Sequence, residues 1–293
     1  MTRWGFLAAA LLVMAGCAQP VPRFLVGDPY RMGGVWSYPK EDYGLSETGL
    51  AEVLPVPVFG GQTANGEVVT AQGLHAAHRS LQLPAIIRVT NLENGRSMLL
   101  RVNDRGPEKL GRILGISQRA ATLLGITPGR ATQVSLTVDP EKSRAAAEGL
   151  PGHAPPPMAI IAAPRAAVAR EELAPLPGTR EAPRREIQAL PSVTAVSELP
   201  TPARAAIAPL PEAITQGTPR PGRLFVDVGE FSRRDAAEAV AARLPGARIS
   251  QQGRGRNANF RVALGPFAEV AGADFVLERT LAAGLSGARI IVE

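Results

Sequence analysis

The run Ala85-Ile86-Ile87-Arg88-Val89-Thr90-Asn91-Leu92-Glu93-Asn94-Gly95-Arg96-Ser97-Met98-Leu99-Leu100-Arg101-Val102-Asn103-Asp104-Arg105-Gly106-Pro107 decides the fold of the first half of the chain. Residues 85–90 and 97–102 have strand composition. Between them Asn94-Gly95 supplies positive φ at little cost, so the two stretches form an antiparallel hairpin. The second strand runs into Asp104-Arg105-Gly106-Pro107, a tight turn. A side chain at such a strand end points into a groove.

Outward from this hairpin, Leu45 to Asp139 reads as one compact β-rich domain. Ser117 caps a short helix carrying Ala120, Ala121 and Leu124, which Gly125 closes. Gln133 to Val138 reads as a last strand. Many short strands with one short helix predict a small β-barrel. Residues 17–44 are irregular, with Pro20, Pro22, Pro29 and Pro39. They carry Trp36, Tyr38 and Tyr43, expected to pack onto the barrel; the alternative is an exposed ligand platform.

Residues 140–222 change character. Over half of the chain's 27 prolines fall here, without Phe, Trp or Tyr. Such a segment buries too little to offset its ordering entropy, so it reads as a disordered Pro/Ala-rich linker between independently moving domains. Order returns over 223–293, with strands at Leu224–Val228, Phe260–Leu264 and Ala288–Val292 and another near Ala247–Ser250. Ser232 and Asp235 predict a capping box for a helix through Leu244, and a second helix spans Glu269 to Ala283. The order is β-α-β-β-α-β, a ferredoxin-like sheet with both helices on one face. The fold class is thus a β-barrel domain followed by an α+β domain.

The 293 residues suffice for two small domains, and 45% hydrophobic with only 4% aromatic content fits small cores held apart by non-globular chain. The net charge of +6 is scattered, with no basic stripe to suit nucleic acid. The single cysteine, Cys17, follows Arg3, an apolar run and Ala15-Gly16. The run is too short to span a bilayer, and one cysteine makes no internal disulfide. Residues 1–16 therefore read as a signal peptide, with Cys17 as the lipidated start of the mature chain. The pattern resembles the lipobox of bacterial lipoproteins. Ala18, where aspartate would retain such a protein at the inner membrane, implies the periplasmic face of the outer membrane.

Residues 48–139 resemble the double-psi β-barrel of the RlpA (rare lipoprotein A) family. The resemblance rests on Thr63-Ala64-Asn65-Gly66-Glu67, Leu74-His75-Ala76-Ala77-His78, Leu81-Gln82-Leu83-Pro84 and the VNDRGP run of 102–107. The C-terminal domain resembles a SPOR domain through Phe225–Phe231 (FVDVGEF) and Phe260–Phe267 (FRVALGPF). The resemblance implies a lytic transglycosylase that cuts peptidoglycan strands lacking stem peptides at the division septum, with divisome proteins as partners. The alternative it leaves is a catalytically weak septal glycan-binding lipoprotein.

That reaction needs no water, metal or cofactor, because one carboxyl group can protonate the leaving oxygen and later accept the C6 hydroxyl proton. The resemblance places Glu67, His78 and Asp104 at functional positions, with Asp104 as acid and base. Asn65, Asn103, Arg105, Phe225 and Phe260 are the substrate-binding candidates. By residue chemistry alone, Asp104 is equally a turn cap, Glu67 a solvated turn residue and His78 a satisfied core histidine. His75 and His153 carry no signal. Three departures stand out. Thr70 and Gly115 replace expected aspartates, and Glu52-Val53-Leu54-Pro55 replaces an expected Ser-Trp-Tyr-Gly. In the SPOR-like segment, Asp227 replaces an expected glutamine and Glu230 a small residue.

Overall fold

A computed structural model describes residues 21–55, 61–153, 209–253 and 258–293. The expected signal segment with Cys17 and most of the expected linker (154–208) lie outside the described residues. In chain order the elements are β1 (Tyr30–Met32), β2 (Val35–Ser37), β3 (Ser46–Val53), β4 (His75–Ala77), β5 (Ala85–Asn91), β6 (Arg96–Asp104), β7 (Arg112–Ile116), α1 (Gln118–Leu124), β8 (Thr132–Val138) and α2 (Pro140–Ala147). There follow β9 (Thr215–Gln216), β10 (Leu224–Phe231), α3 (Arg234–Ala241), β11 (Arg248–Gln252), β12 (Asn259–Phe267), α4 (Val270–Ala282) and β13 (Arg289–Val292).

The hairpin forms as expected: β5 and β6 pair from Ala85↔Val102 to Thr90↔Ser97, with Gly95 at φ +80 in the loop. Around it the strands run β4-β7-β3-β8-β5-β6 and back to β4, closing a six-stranded barrel without a free edge. Two pairs, β3–β7 and β4–β6, are parallel. Strand alternation sends Ala85, Ile87 and Val89 inward against Met98, Leu100 and Val102, all fully buried. Each of these side chains other than Ala85 contributes about 1.5–3 kcal/mol. Helix α1 adds Ala120, Ala121 and Leu124 to this core. The Ser117 side chain caps it, and Gly125 ends it at φ +68.

The C-terminal sheet has strand order β11-β12-β10-β13, all antiparallel. Ala237 of α3 and Ala273 and Leu277 of α4 pack with Val226, Val262 and Ile290 in one core. The β-α-β-β-α-β order holds, with two local differences. Arg233, not Ser232, is the N-cap residue of α3 and makes no side-chain cap bond; its guanidinium pairs with Asp235 instead. Strand β12 continues through Gly265-Pro266 to Phe267, because the proline's neighbours still pair, as in Leu224↔Phe267.

The linker is shorter than composition suggests. Helix α2 belongs to the barrel. Asp139 caps it, and the buried Ser143 hydroxyl accepts from Ile86 N (2.9 Å) and donates to Ile86 O (3.2 Å). At the other end β9 pairs with β6, and Gln133 exchanges two hydrogen bonds with Gly222. The aromatic cluster also divides. Trp36 and Tyr38 are 54% and 65% exposed, whereas Tyr43 lies under the Arg144 guanidinium.

Nor do the two domains move independently. Leu50, on β3 of the barrel, is fully buried within the C-terminal core. Thr48 Oγ1 donates to Val292 O at 2.7 Å. The Arg112 guanidinium, only 2% exposed, makes a bidentate pair with Asp274 at 2.7 and 2.8 Å. Gly111 permits this approach: a Cβ there would stand 2.8 Å from Ile290 Cδ1, and its φ is +74.

Candidate functional site

Asp104 ends β6, where the strand gives way to the Arg105-Gly106-Pro107 turn. Its Oδ1 accepts from Arg105 N at 2.8 Å and from Ala64 N at 3.0 Å. Ala64 belongs to a loop strapped across the end of β6 by Asn65 N, which donates to Asn103 O at 3.3 Å. One carboxylate oxygen is therefore fixed by two backbone donors, which orients the group.

Glu67 stands in the same loop. Its Oε1 accepts from Asn65 Nδ2 at 2.8 Å and its Oε2 from Asn103 Nδ2 at 2.9 Å, with Arg101 Nη1 3.5 Å from Oε2. Asn65 is fully buried, and its own Oδ1 accepts from Thr63 Oγ1 at 2.8 Å and Glu67 N at 3.2 Å. Thus both asparagines hold Glu67, and each spends its amide nitrogen there. Asn103 Oδ1 is buried with no hydrogen-bond partner among the described residues.

His75, without signal in the sequence, sits on β4 in parallel register with Arg101. Burial lowers its pKa, and the charges of Asp104 and Glu67 push it back up. The His75 imidazole thus lies within electrostatic range of both carboxylates. Only the β4–β6 pairing brings it there, and no local sequence pattern reports a parallel pairing.

His78 is 4% exposed, and its ring turns to Glu47 rather than to Asp104: Nε2 lies 3.0 Å from Glu47 Oε1. Its backbone N donates to Asp104 O at 3.1 Å. The Arg105 guanidinium is likewise engaged, donating to the carbonyls of Leu81 and Val26 and, at 3.5 Å, of His78. Burial lowers its pKa, and the nearby Tyr30 and Asp104 oppose that shift. Arg105 thus reaches Asp104 through its backbone N–H, and its side chain fastens the turn to the barrel.

In the C-terminal domain a shallow cleft is lined by Phe225, Arg248, Ser250, Arg261, Gly265 and Glu293. Arg261 Nε donates to Asp227 Oδ1 at 2.8 Å, and its Nη1 pairs with Glu293. Of the two phenylalanines singled out in the sequence, Phe225 lines this cleft. Phe260 shares its strand face with Val262 and Leu264 and packs into the helix-side core, so the sheet separates it from the cleft.

The departures have structural counterparts. Leu54 lies over Gly115 and fills the space where a side chain at 115 would stand. Its N–H donates to Ile116 O at 2.8 Å. Glu52 pairs in register with Gly115, and burial raises its pKa, with Arg112 the leading opposing charge.

The chain matches two known domain families: residues 52–137 a family described as lytic transglycolase, residues 221–290 the SPOR domain. It is 35% and 36% identical over 262 residues to the endolytic peptidoglycan transglycosylase RlpA of two Pseudomonas aeruginosa strains, covering 85% of this chain and 72% of those proteins. It is 32% identical over 158 residues to RlpA of Vibrio cholerae, covering 44% of this chain and 60% of that one. A crystal structure of the RlpA SPOR domain from Pseudomonas aeruginosa is 28% identical and covers 24% of this chain and 99% of that domain, with a TM-score of 0.22. With both domain types in one chain, and identity extending across them over most of its length, the chain belongs to the RlpA family.

Proposed function

We propose that this chain is a peptidoglycan lytic transglycosylase that cleaves glycan strands lacking stem peptides, with Asp104 as its acid and base. The supporting observation is the Asp104 carboxylate itself, aimed by Ala64 N and Arg105 N at a strand end, with the Asn-held Glu67 in the same loop as Ala64. Asp104 gives its proton to the glycosidic oxygen as the C1–O bond of the muramoyl sugar breaks. The C6 hydroxyl oxygen then closes on C1 and its proton passes to Asp104. The products are a free 4-hydroxyl and a 1,6-anhydromuramoyl end, and the carboxyl is restored without water or cofactor. Glu67 positions the sugar. The SPOR cleft, with Phe225 and Arg261, holds the same glycan away from the cut. Cys17 carries lipid and keeps the enzyme on the periplasmic face of the outer membrane, enriched at the septum beside divisome proteins.

A second reading, a glycan-binding protein with weak catalysis, is favoured by Leu54 over Gly115. Fewer carboxylates then share the proton work. Incubation with peptide-free glycan separates the two. Soluble fragments with 1,6-anhydro ends support the enzyme, and binding without fragments supports the second reading.

A further inference from the structure

We infer that Glu47 is a positioning residue of the Asp104 turn, acting through His78, and that it sits at the seam where the SPOR domain meets the barrel. The inference rests on the role proposed for Asp104.

The ring of His78 has one consistent protonation pattern. Its Nδ1 faces two backbone donors, Ser80 N at 3.2 Å and Leu81 N at 3.1 Å. A nitrogen that accepts from N–H groups carries no proton, so the proton is on Nε2, which donates to Glu47 Oε1 at 3.0 Å. The side chains are 6% and 17% exposed, so water competes little for this bond. Both ring nitrogens are thereby occupied, and neither is left to exchange a proton with substrate.

The ring instead fixes the 78–81 turn, and that turn holds the catalytic segment from two sides. His78 N donates to Asp104 O at 3.1 Å. The carbonyls of His78 and Leu81 accept from the Arg105 guanidinium. Glu47 is the outer anchor of this set. It lies on β3, opposite Leu136 of β8. Its other oxygen is 3.9 Å from Arg289 Nη1 on β13, and Arg289 Nε reaches Asp227 Oδ2 at 3.4 Å. Without the Glu47 carboxylate, Nε2–H loses its acceptor and the ring is free to place its proton on Nδ1. Ser80 and Leu81 N–H then lose theirs, and Asp104 is held less firmly. A displacement of this kind lowers turnover more than substrate binding, because geometry at the reacting atoms matters most in the transition state.

The test uses the full chain labelled with 15N-histidine, with His78 assigned by its absence in His78→Gln. Wild type should show a bare Nδ1 and a protonated Nε2 at His78. Glu47→Ala should mix the tautomers and lower kcat on peptide-free glycan on the order of tenfold to a hundredfold, with KM and the circular dichroism spectrum unchanged. Glu47→Gln, whose amide oxygen still accepts from Nε2–H, should recover the single tautomer and most of kcat. A wild-type His78 protonated on Nδ1 overturns the inference, as does Glu47→Ala with a single tautomer and full kcat. If Glu47→Ala does not fold, the wild-type tautomer and the Glu47→Gln comparison decide. A wild-type chain that makes no anhydro ends overturns the proposed reaction, and the tautomer comparison then decides on Glu47 alone.

Discussion

Leu54 stands where a side chain at Gly115 would go: a Cβ built on Gly115 lies 2.5 Å from Leu54 Cδ2 and 3.0 Å from its Cγ. Leu54 therefore occupies the space that an aspartate at 115 would need. Gly115→Asp alone should destabilise the barrel by about 1–3 kcal/mol through overpacking. Combined with Leu54→Ala, which opens the space, it should cost distinctly less. Urea midpoints at constant m-value measure both. Equal costs in the two backgrounds would show that Leu54 is not the obstacle.

Asp104→Asn keeps an oxygen to accept from Ala64 N and Arg105 N, so the turn should persist. The amide moves no proton at neutral pH. Release of anhydro-ended fragments should fall on the order of 100-fold or more, with glycan co-sedimentation retained. A folded Asp104→Asn protein with full activity would remove Asp104 from the mechanism.

The Arg112–Asp274 pair predicts how the two domains come apart. Asp274→Ala strands a guanidinium that is 2% exposed, and removing one partner of a buried pair costs about 3–5 kcal/mol. Hydrogen exchange at β13 should accelerate, and urea unfolding should separate into two transitions. Unchanged exchange in β13 would mean that Leu50 and Thr48 hold the seam without the ion pair.

Burial lowers the His75 pKa below its ordinary 6.5. Between its folded value and 6.5 the unfolded chain binds the proton and the folded chain does not, so stability falls as pH drops below 6.5 and is fully present above it. His75→Gln should remove this share of the acid sensitivity. Urea unfolding of both proteins at about pH 7.5 and 5.5 checks it. Parallel losses in the two proteins would remove His75 as the cause.

Cys17→Ser should leave an uncleaved or soluble product, since no thiol remains to take lipid. Membrane fractionation with mass spectrometry of the N-terminus reads this directly. A mutant that still fractionates with the outer membrane would mean another anchor.

Local physics made the hairpin and the C-terminal order legible. Asn94-Gly95 declares its turn, and apolar periodicity declares strands and helices. The parallel pairing β4–β6 leaves no local mark, so the register of His75 with Arg101 is not legible, and neither is the long-range contact of Glu47 with His78. Composition overstated the linker because α2 packs through small residues, Ser143 and Ala147, and β9 pairs through its backbone with exposed side chains. Phe260 is different. Its shared parity with Val262 and Leu264 was readable, and it places the ring on the core face.

The residues on either side of 154–208 are fastened to one body: Leu150 packs with Phe24, and Thr215–Gln216 extend β6. The place of the SPOR domain against the barrel is therefore fixed by contacts within this one body, through Leu50, Thr48 and Arg112.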